Sequence, residues 1–485
     1  MDIISNICGT NRFLSNVLKL VTGTAIGQIF GILAMPLITR LYDPHAFGLS
    51  SIFFAFVGVI GGISCLRYEI SIMLPEKDED AANLLALSLL FNVIISLLMI
   101  PAVLLFSPSI MNILNAPELK NYVWLIPPLI FLCGASLAFT YWNLRLKKFG
   151  LISANRIASS AVTSTSQLTL GLSGYANADS LIYSNVFSSL ISDMILVFPN
   201  WEKSRRFFGE SINLPDMIIL LKRYDKFPKY DLWSTLLNSL SLQMPILLLS
   251  IFFSSTIVGY YSLGLMVLQL PMALIGGAIS QVFFQQASKA KLNGKLDKLV
   301  ADTFSYLIII CLYPLFLFLV QGKTIFVLAF GLPWAEAGFY AQILIFWIFC
   351  VFITAPMSTV FMVLDEQRTL LIFNIAIFIL RTSALIVGGM TGDVIKTLVL
   401  YSVVGVLTWG IMCIWILRQS NANISDKSKN IFICFAFSVI ISSSLGLIEH
   451  FAQLGTVIYV GMGGLFGIIY YLFIFRIDLH KINSV

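Results

Sequence analysis

Long apolar passages, each bounded by short polar or charged segments, recur along the whole chain of 485 residues. Residues 232–253 and 258–286 form two such passages, with a short break at Ser254-Ser255-Thr256 between them. Each exceeds the roughly 20 residues that a helix needs to cross the hydrocarbon core of a bilayer. The pair therefore predicts a transmembrane hairpin. Similar passages predict fourteen helices, beginning near residues 17, 47, 84, 122, 155, 179, 231, 258, 301, 337, 369, 394, 430 and 455.

A second hairpin near the N-terminus, residues 17–38 and 47–66, has the same layout. Its second helix opens with Phe47-Gly-Leu-Ser-Ser51, and the later hairpin has Val258-Gly-Tyr-Tyr-Ser262 at the same place. Transporters are often built from such internal repeats, with the substrate held between the halves. We predict an all-α polytopic membrane protein with about 14 helices. Two pseudo-symmetric six-helix lobes would surround a central cavity, and two extra helices would follow.

The predicted boundaries follow from the helix count and the polar gaps. Residues 1–199 form the N-lobe with helices 1–6, and residues 231–419 form the C-lobe with helices 7–12. Between them, residues 200–230 make a basic linker that is expected to be cytoplasmic. Residues 420–485 hold helices 13–14 and a tail.

Composition and charge agree with this architecture. The chain is 58% hydrophobic and 11% charged, whereas soluble domains carry about 25% charged residues. An even number of helices puts both termini on one side, and most of the 30 lysines and arginines fall in the segments on that side. Cytoplasmic loops are enriched in these residues, so both termini are predicted to be cytoplasmic.

Side chains that could support catalysis or hold a metal are scattered. The seven cysteines occur singly, and the three histidines form no cluster with them or with each other. The chain has no Walker A sequence, which argues against ATP hydrolysis through a P-loop. We therefore predict no cofactor, no metal site, no catalytic residue and no enzymatic activity.

Polar side chains recur at helical spacing inside several predicted helices. The first helix carries Gly23, Gly27 and Gly31, which let a neighbouring helix approach closely, and Gln28 lies on an adjacent face. Polar stripes follow on helices five, six and seven: Ser160, Thr163 and Gln167; Asn185, Ser189 and Asp193; Ser234, Asn238 and Ser241. Hydrogen bonds between helices would satisfy each stripe, but three on sequential helices favour a hydrated chamber. The candidate substrate-binding amides are Gln28, Gln167, Asn238 and Gln243.

Charged side chains within or beside the apolar passages are the next candidates. Arg381 lies near the middle of helix eleven, where an unpaired arginine costs about 2.5–3.5 kcal/mol on insertion scales. Because arginine grips phosphate oxygens through two parallel hydrogen bonds, Arg381, Arg67 and Arg40 are candidate phosphate ligands. Asp193 and Glu69 are candidate ion-coupling groups. Structural ion pairing or extension of the side chain to the membrane surface is the alternative for each.

Three motifs resemble the polysaccharide transporter family of oligosaccharide flippases. They are Leu41-Tyr-Asp-Pro-His-Ala-Phe-Gly48, Leu66-Arg-Tyr-Glu-Ile-Ser-Ile-Met-Leu-Pro75, and the run from Val258-Gly-Tyr-Tyr-Ser262 through Pro271 to Ile275-Gly-Gly-Ala-Ile-Ser-Gln-Val-Phe283. Arg67 and Glu69 match a recurrent Arg-aromatic-Glu element of that family. The resemblance implies the multidrug/oligosaccharidyl-lipid/polysaccharide exporter (MOP) superfamily, whose two lobes enclose a cavity that opens alternately to each face.

Flippases of this type move undecaprenyl-diphosphate-linked oligosaccharide repeat units from the cytoplasmic to the periplasmic leaflet, for O-antigen or capsule assembly. The resemblance therefore implies a multi-pass protein of the bacterial cytoplasmic (inner) membrane. Its implied partners are that substrate, membrane lipid, a polysaccharide polymerase and a chain-length regulator, and no nucleic acid. The alternatives are a lipid II flippase, a cation-coupled drug antiporter and a membrane glycosyltransferase or polymerase. The short external loops offer little scaffold for the last.

Overall fold

The computed structural model describes residues 26–200, 207–452 and 455–482, and the regular structure within these ranges is entirely helical. Gly23, the linker cations Lys203, Arg205 and Arg206, and both chain termini lie outside the described residues. In chain order the long helices are α1 (Ile26–Leu41), α2 (Pro44–Gly61), α3 (Asp78–Ile113), α4 (Ile126–Arg145), α5 (Phe149–Leu172), α6 (Ala178–Val197), α7 (Leu232–Phe252), α8 (Ser255–Pro271 and Gly277–Leu292), α9 (Leu296–Phe330), α10 (Ala335–Met357), α11 (Gln367–Gly389), α12 (Val394–Gln419), α13 (Ser425–Ala452) and α14 (Thr456–Ile482).

Eleven of the described helices are long and apolar enough to cross a membrane. The sequence explains why the other three predicted helices, α1, α5 and α8, do not meet this criterion. The described part of α1 is short, α5 is rich in serine and threonine, and α8 is interrupted by the five π-helical residues Met272–Gly276 after Pro271. The prediction of an all-α, multi-pass membrane protein with about fourteen helices is confirmed.

The described residues form two compact units, one ending at Gly259 and the other beginning at Tyr260. In the first unit, α5 packs along α6, α3 along α4, and α7 against α2. In the second, α9 packs along α10, and α12 contacts both α10 and α11. Helix α7 thus lies in the first unit, whereas the sequence predicts a C-lobe that starts at residue 231. The sequence-based lobes and the central cavity stay predictions.

Within the first unit, α2 and the first turns of α8 cross with their backbones in contact. A side chain on Gly48 would overlap the carbonyl group of Ser255, and one on Gly259 would overlap the carbonyl group of Pro44. Gly48 and Gly259 are the equivalent glycines of the two repeated motifs. The repeat therefore places two residues without side chains at the point where the helices meet.

Helix α1 packs on α5 through its glycines. A side chain on Gly27 would lie 3.1 Å from the carbonyl oxygen of Arg156, and Ser160 Oγ donates a hydrogen bond of 2.7 Å to the carbonyl of Gly27. At the other end of the seam, Tyr42 Oη donates to the carbonyl of Gln167 over 2.8 Å. The prediction that these glycines admit a neighbouring helix is confirmed for Gly27, and part of the polar stripe on α5 serves this packing.

The two C-terminal helices are fastened to α9 by hydrogen bonds from buried side chains. Tyr470 Oη of α14 donates to the carbonyl of Ile309 over 2.6 Å, and Gln321 Nε2 of α9 donates to the carbonyl of Tyr459 over 2.9 Å. Lys427 at the start of α13 pairs with Asp302 of α9 at 2.5 Å. Such bonds hold helices together in lipid, where apolar surface alone gives little preference for protein over acyl chains.

Candidate functional site

Two of the charged candidate residues lie in the interior of membrane-spanning helices, Asp193 on α6 and Arg381 on α11. Arg67 and Glu69 lie in the segment between α2 and α3. Arg381 belongs to the second compact unit, and the other candidate residues belong to the first. The surroundings of each group decide what it can bind.

Arg381 is held between two aromatic rings. Its Cζ atom lies 4.0 Å from the ring centroid of Trp347 on α10 and 4.3 Å from that of Tyr401 on α12. Its Nη2 donates a hydrogen bond to the Tyr401 hydroxyl, while its Nε is buried without a hydrogen-bond partner in the described part of the chain. We call Arg381, Trp347 and Tyr401 the aromatic arginine site.

The sequence of α12 explains how this site forms. Gly405 lies one turn after Tyr401, and a side chain there would come within 2.8 Å of Trp347 Cβ. Because Gly405 has no side chain, Trp347 packs closely against α12, and the Trp347 and Tyr401 rings meet edge to face with centroids 5.8 Å apart. Both rings are almost fully buried, at 5% and 2% exposure. Arg381 is therefore held on the faces of two buried rings.

The charge of Arg381 is only partly compensated. Stacking on aromatic faces stabilises a cation by about 0.5–2 kcal/mol. None of the ion pairs found among the described residues includes Arg381, and its Nε–H lacks an acceptor. A cation in this state attracts an anion, and the planar guanidinium suits phosphate oxygens. The aromatic arginine site can therefore bind an anionic group.

Asp193 presents the opposite case, a carboxyl group that forms no ion pair with any described residue. Both of its carboxylate oxygens are buried and make no hydrogen bond to any described residue. Ser136 and Cys133 of α4 are its neighbours, and Ser136 Oγ lies 3.4 Å from Ser192 Oγ. Since an ionised carboxylate in such surroundings is costly, the group can take up a proton or a small cation.

Arg67, Glu69 and Asp231 form an ionic cluster between the end of α2 and the start of α7. Arg67 Nε lies 2.6 Å from an Asp231 oxygen, and Arg67 Nη1 lies 3.1 Å from Glu69 Oε1. Leu66 and Arg67 both adopt left-handed backbone angles, with φ of 51° and 66°, which direct Arg67 toward its partners. Two carboxylates already engage Arg67, so this arginine has less charge to offer a phosphate than Arg381 has.

Glu69 gives this cluster a pH dependence. Its side chain is 1% exposed, and burial raises the pKa of the Glu69 carboxyl despite the opposing effect of Arg67. The folded state therefore holds this proton more tightly than the unfolded state does. Stability should fall as the pH rises from the ordinary glutamate pKa of about 4.3 to the higher folded value. Thermal unfolding of the purified protein across this range should show the decrease, and Glu69→Gln should reduce it.

The same cluster predicts an asymmetry between single variants. Arg67→Gln leaves the buried Glu69 without its cation and should destabilise the protein by about 3 kcal/mol, as in other broken buried pairs. Glu69→Gln leaves Arg67 with Asp231 and should cost much less. The double variant should recover most of the loss caused by Arg67→Gln. Equal losses in both single variants would show that the hydrogen bond matters and the buried charge does not.

The remaining candidates are dispersed. Arg40 and Asn238 are exposed, and Gln28 and Gln167 are half-buried. Gln243 of α7 lies over α2, with Nε2 3.1 Å from the position of a side chain on Gly58. Asn185 and Ser189 of the α6 stripe bond to carbonyls of their own helix. Among the candidate residues of the first unit, the described contacts join Arg67 to Glu69.

Sequence reasoning missed the partners of the charged candidates. Trp347, Tyr401 and Gly405 sit in passages that are apolar throughout, so nothing in the sequence separates them from ordinary packing residues. Asp231 stands at a helix start, where the sequence marks only a boundary. The spacing of aromatic residues relative to Arg381 carries no signal either, because Trp347, Arg381 and Tyr401 lie on α10, α11 and α12.

The arrangement of helices is that of known membrane transporters. The lipid II flippase MurJ, in an inward closed conformation, matches with a TM-score of 0.66 and 13% identity, covering 94% of this chain and 99% of MurJ. An inward-facing multidrug resistance MATE family transporter of the MOP superfamily matches with a TM-score of 0.65 and 14% identity, covering 81% and 94%. A MOP superfamily transporter from Pyrococcus furiosus matches with a TM-score of 0.54 and 15% identity, covering 84% of this chain and 95% of that transporter. The chain therefore has the fold of this class of transporters.

The sequence identifies the family within that class. The profile of the family described as "Polysaccharide biosynthesis protein" matches residues 37–338, more than half of the chain. The chain belongs to this family, and the resemblance carried by the three motifs is confirmed. No curated protein matches the sequence significantly.

Proposed function

We propose that this protein is a flippase that moves undecaprenyl-diphosphate-linked oligosaccharide repeat units from the cytoplasmic to the periplasmic leaflet, for O-antigen or capsular polysaccharide synthesis. Membership of a polysaccharide biosynthesis family and the MurJ-like and MATE-like fold support the class of activity. The observation that carries the substrate chemistry is Arg381, a half-buried arginine that stacks on aromatic rings and has no carboxylate partner among the described residues. A diphosphate headgroup supplies the missing negative charge.

The mechanism we propose is alternating access. The lipid tail stays in the bilayer while the diphosphate and sugars cross through a hydrated passage, because an unpaired charge in hydrocarbon costs many kcal/mol. The aromatic arginine site holds a phosphate during the crossing. The basic linker and both chain termini are placed in the cytoplasm of a bacterial cell, with the protein in the cytoplasmic membrane. A polymerase and a chain-length regulator would act on the product.

Reconstitution tests the activity directly. Purified protein in vesicles is given a polyprenyl-diphosphate oligosaccharide on the inner leaflet, and a lectin in the medium reports the sugars that reach the outer leaflet. Protein-dependent exposure of the sugar is expected. A polyprenyl monophosphate that carries the same sugars is the headgroup control. If every member of a panel of diphosphate-linked repeat units remains on the inner leaflet while the protein is folded, the proposal fails.

A lipid II flippase is the second candidate, because MurJ covers 94% of this chain with a TM-score of 0.66. Both substrates are polyprenyl diphosphates, so Arg381 serves either. The two are separated by offering lipid II and an oligosaccharide repeat unit in parallel in the same vesicles. Rescue of a strain depleted of lipid II transport would favour lipid II. Restored surface polysaccharide in a strain lacking its repeat-unit flippase would favour the repeat unit.

Asp193 is the proposed ion-coupling group. Because its oxygens are buried without a partner among the described residues, binding of a proton or cation there removes an unfavourable charge and can be linked to a change in conformation. Asp193→Asn should abolish the acceleration of flipping by an imposed ion gradient and leave gradient-independent flipping. Asp426→Asn, at an exposed position in the first turn of α13, serves as the control. A gradient response that survives in Asp193→Asn would remove Asp193 from the coupling mechanism.

A further inference from the structure

A short helix, Leu214–Arg223, lies between α6 and α7 and has an unusual outer face. It is a well-defined element: the side chain of Asn213 accepts a hydrogen bond of 2.9 Å from the backbone N–H of Asp216, and Pro215 occupies the first turn. We call it the linker helix. Its position between the ends of two membrane-spanning helices puts it beside the membrane surface.

The inner face of the linker helix is fixed to the first unit. Met217 and Leu220 are buried at 7% and 3% exposure in a cluster with Tyr68 and Trp142. Tyr68 Oη donates to the carbonyl of Leu221 over 3.1 Å. The segment just before the helix is tied to α3, since Asn83 Nδ2 donates to the carbonyl of Ser211 over 2.8 Å. The helix cannot rotate freely, so the outer face is fixed as well.

The outer face is apolar over its first two turns. Leu214, Ile218 and Ile219 are exposed by 70%, 55% and 61%. Residues 214 and 218 are one turn apart and so are neighbours, and 219 lies about 100° further round the helix, on the side away from Met217 and Leu220. Water would surround this face if nothing covered it. The contacts of the inner face prevent burial by rotation, and none of the described residues of the unit covers these three side chains.

Cations follow the apolar residues: Lys222 and Arg223 lie one turn after Ile218 and Ile219, and Lys226 comes just after the end of the helix. Lys222, Arg223 and Lys226 are exposed and form no ion pair with any described residue. The nearby Asp225 is paired with Lys229. An apolar surface continued by unpaired cations is typical of helices that lie in the headgroup region of an anionic bilayer.

We propose that the outer face of the linker helix rests in the membrane interface, with Leu214, Ile218 and Ile219 among the upper acyl segments and the cations on anionic phospholipid headgroups. Three side chains on a ten-residue helix fall far short of the roughly 800 Å² per partner that a stable protein interface needs. The bilayer requires no such area and already adjoins the helix. The linker helix would thereby anchor the ends of α3 and α7 to the lipid surface.

A fluorescent probe on the outer face tests this placement in the full-length protein. Ile218→Cys is labelled with bimane in vesicles that contain phosphatidylglycerol, with Asp426→Cys as the matched water-exposed site and the parent chain as background. The label at position 218 should be quenched by lipids carrying a nitroxide near the headgroup and protected from iodide, and the label at 426 should behave oppositely. Equal iodide quenching at both positions would overturn the proposal. Protection from both quenchers would also overturn it, since protein would then cover the outer face.

The cations provide a second, independent measurement. Quenching by lipid nitroxide at position 218 should be stronger with phosphatidylglycerol than with phosphatidylcholine alone and should weaken with salt. Each cation near an anionic surface contributes enough that Lys222→Gln and Arg223→Gln should each lower the interfacial partition by about fivefold. Lys298→Gln, outside the linker, is the charge-matched control. A lipid preference that is unchanged in the double variant would show that the headgroup charge plays no part.

Discussion

Gly48→Ala is expected to destabilise the folded protein severely, although it adds only one methyl group. That methyl group would overlap the carbonyl of Ser255, a backbone atom that cannot turn aside as a side chain could. The two helices would have to separate along their crossing. Overpacking costs about 1–3 kcal/mol when side chains can adjust, so a loss of at least about 3 kcal/mol is expected. Thermal unfolding of the purified protein in detergent measures it.

Gly259→Ala should cause a similar loss, because its methyl group would overlap the carbonyl of Pro44 on the same crossing. Gly410→Ala is the matched control, since Gly410 lies in α12 with no atom within 4 Å of the added carbon. It should be neutral or stabilising by up to about 1 kcal/mol. Should Gly48→Ala and Gly410→Ala unfold at the same temperature, the backbones of α2 and α8 are not in contact at their crossing.

The helices were predictable because the membrane imposes a simple rule. A backbone in hydrocarbon must satisfy its own hydrogen bonds, so apolar length alone identifies a spanning helix, as for α12, predicted to begin near 394 and observed from Val394. Less apolar helices such as α5 were predicted from their passages as well, although serine and threonine weaken the apolar signal there. The repeat also revealed Gly48 and Gly259 as equivalent positions. That the two glycines touch each other is a property of packing, which the sequence pattern does not encode.

Site residues were harder to predict, because a charge in a sequence does not show its partner. Arg67 and Arg381 looked alike as candidate phosphate ligands. The structure gives Arg67 two carboxylates and gives Arg381 two aromatic rings. Trp347 and Tyr401 come from different helices, far apart in the chain, so no local pattern could associate them with Arg381. The sequence identified charges within or beside apolar passages, and only the packed helices distinguish a structural ion cluster from an arginine that can receive an anion.

Arg381→Ala should lower the rate of substrate flipping per folded molecule by at least about tenfold. A hydrogen bond to a charged group contributes about 1.5–3 kcal/mol, and about 1.4 kcal/mol corresponds to a factor of ten. Arg381→Lys keeps the charge but loses the planar fork and its stacking on Trp347 and Tyr401, so it should recover only part of the rate. Flipping in reconstituted vesicles, normalised to folded protein, gives the comparison.

The control for this prediction lies on the same helix. Arg368 is exposed in the first turn of α11, and Arg368→Ala should leave the flipping rate nearly unchanged. Loss of the stacked guanidinium also removes packing, so thermal unfolding of Arg381→Ala must be measured alongside flipping. A lower unfolding temperature with an unchanged rate per folded molecule would make Arg381 a packing residue. A normal unfolding temperature with a reduced rate, partly restored by lysine, would support contact between the cation and the substrate, because the fold is intact and a positive charge at this position recovers part of the rate.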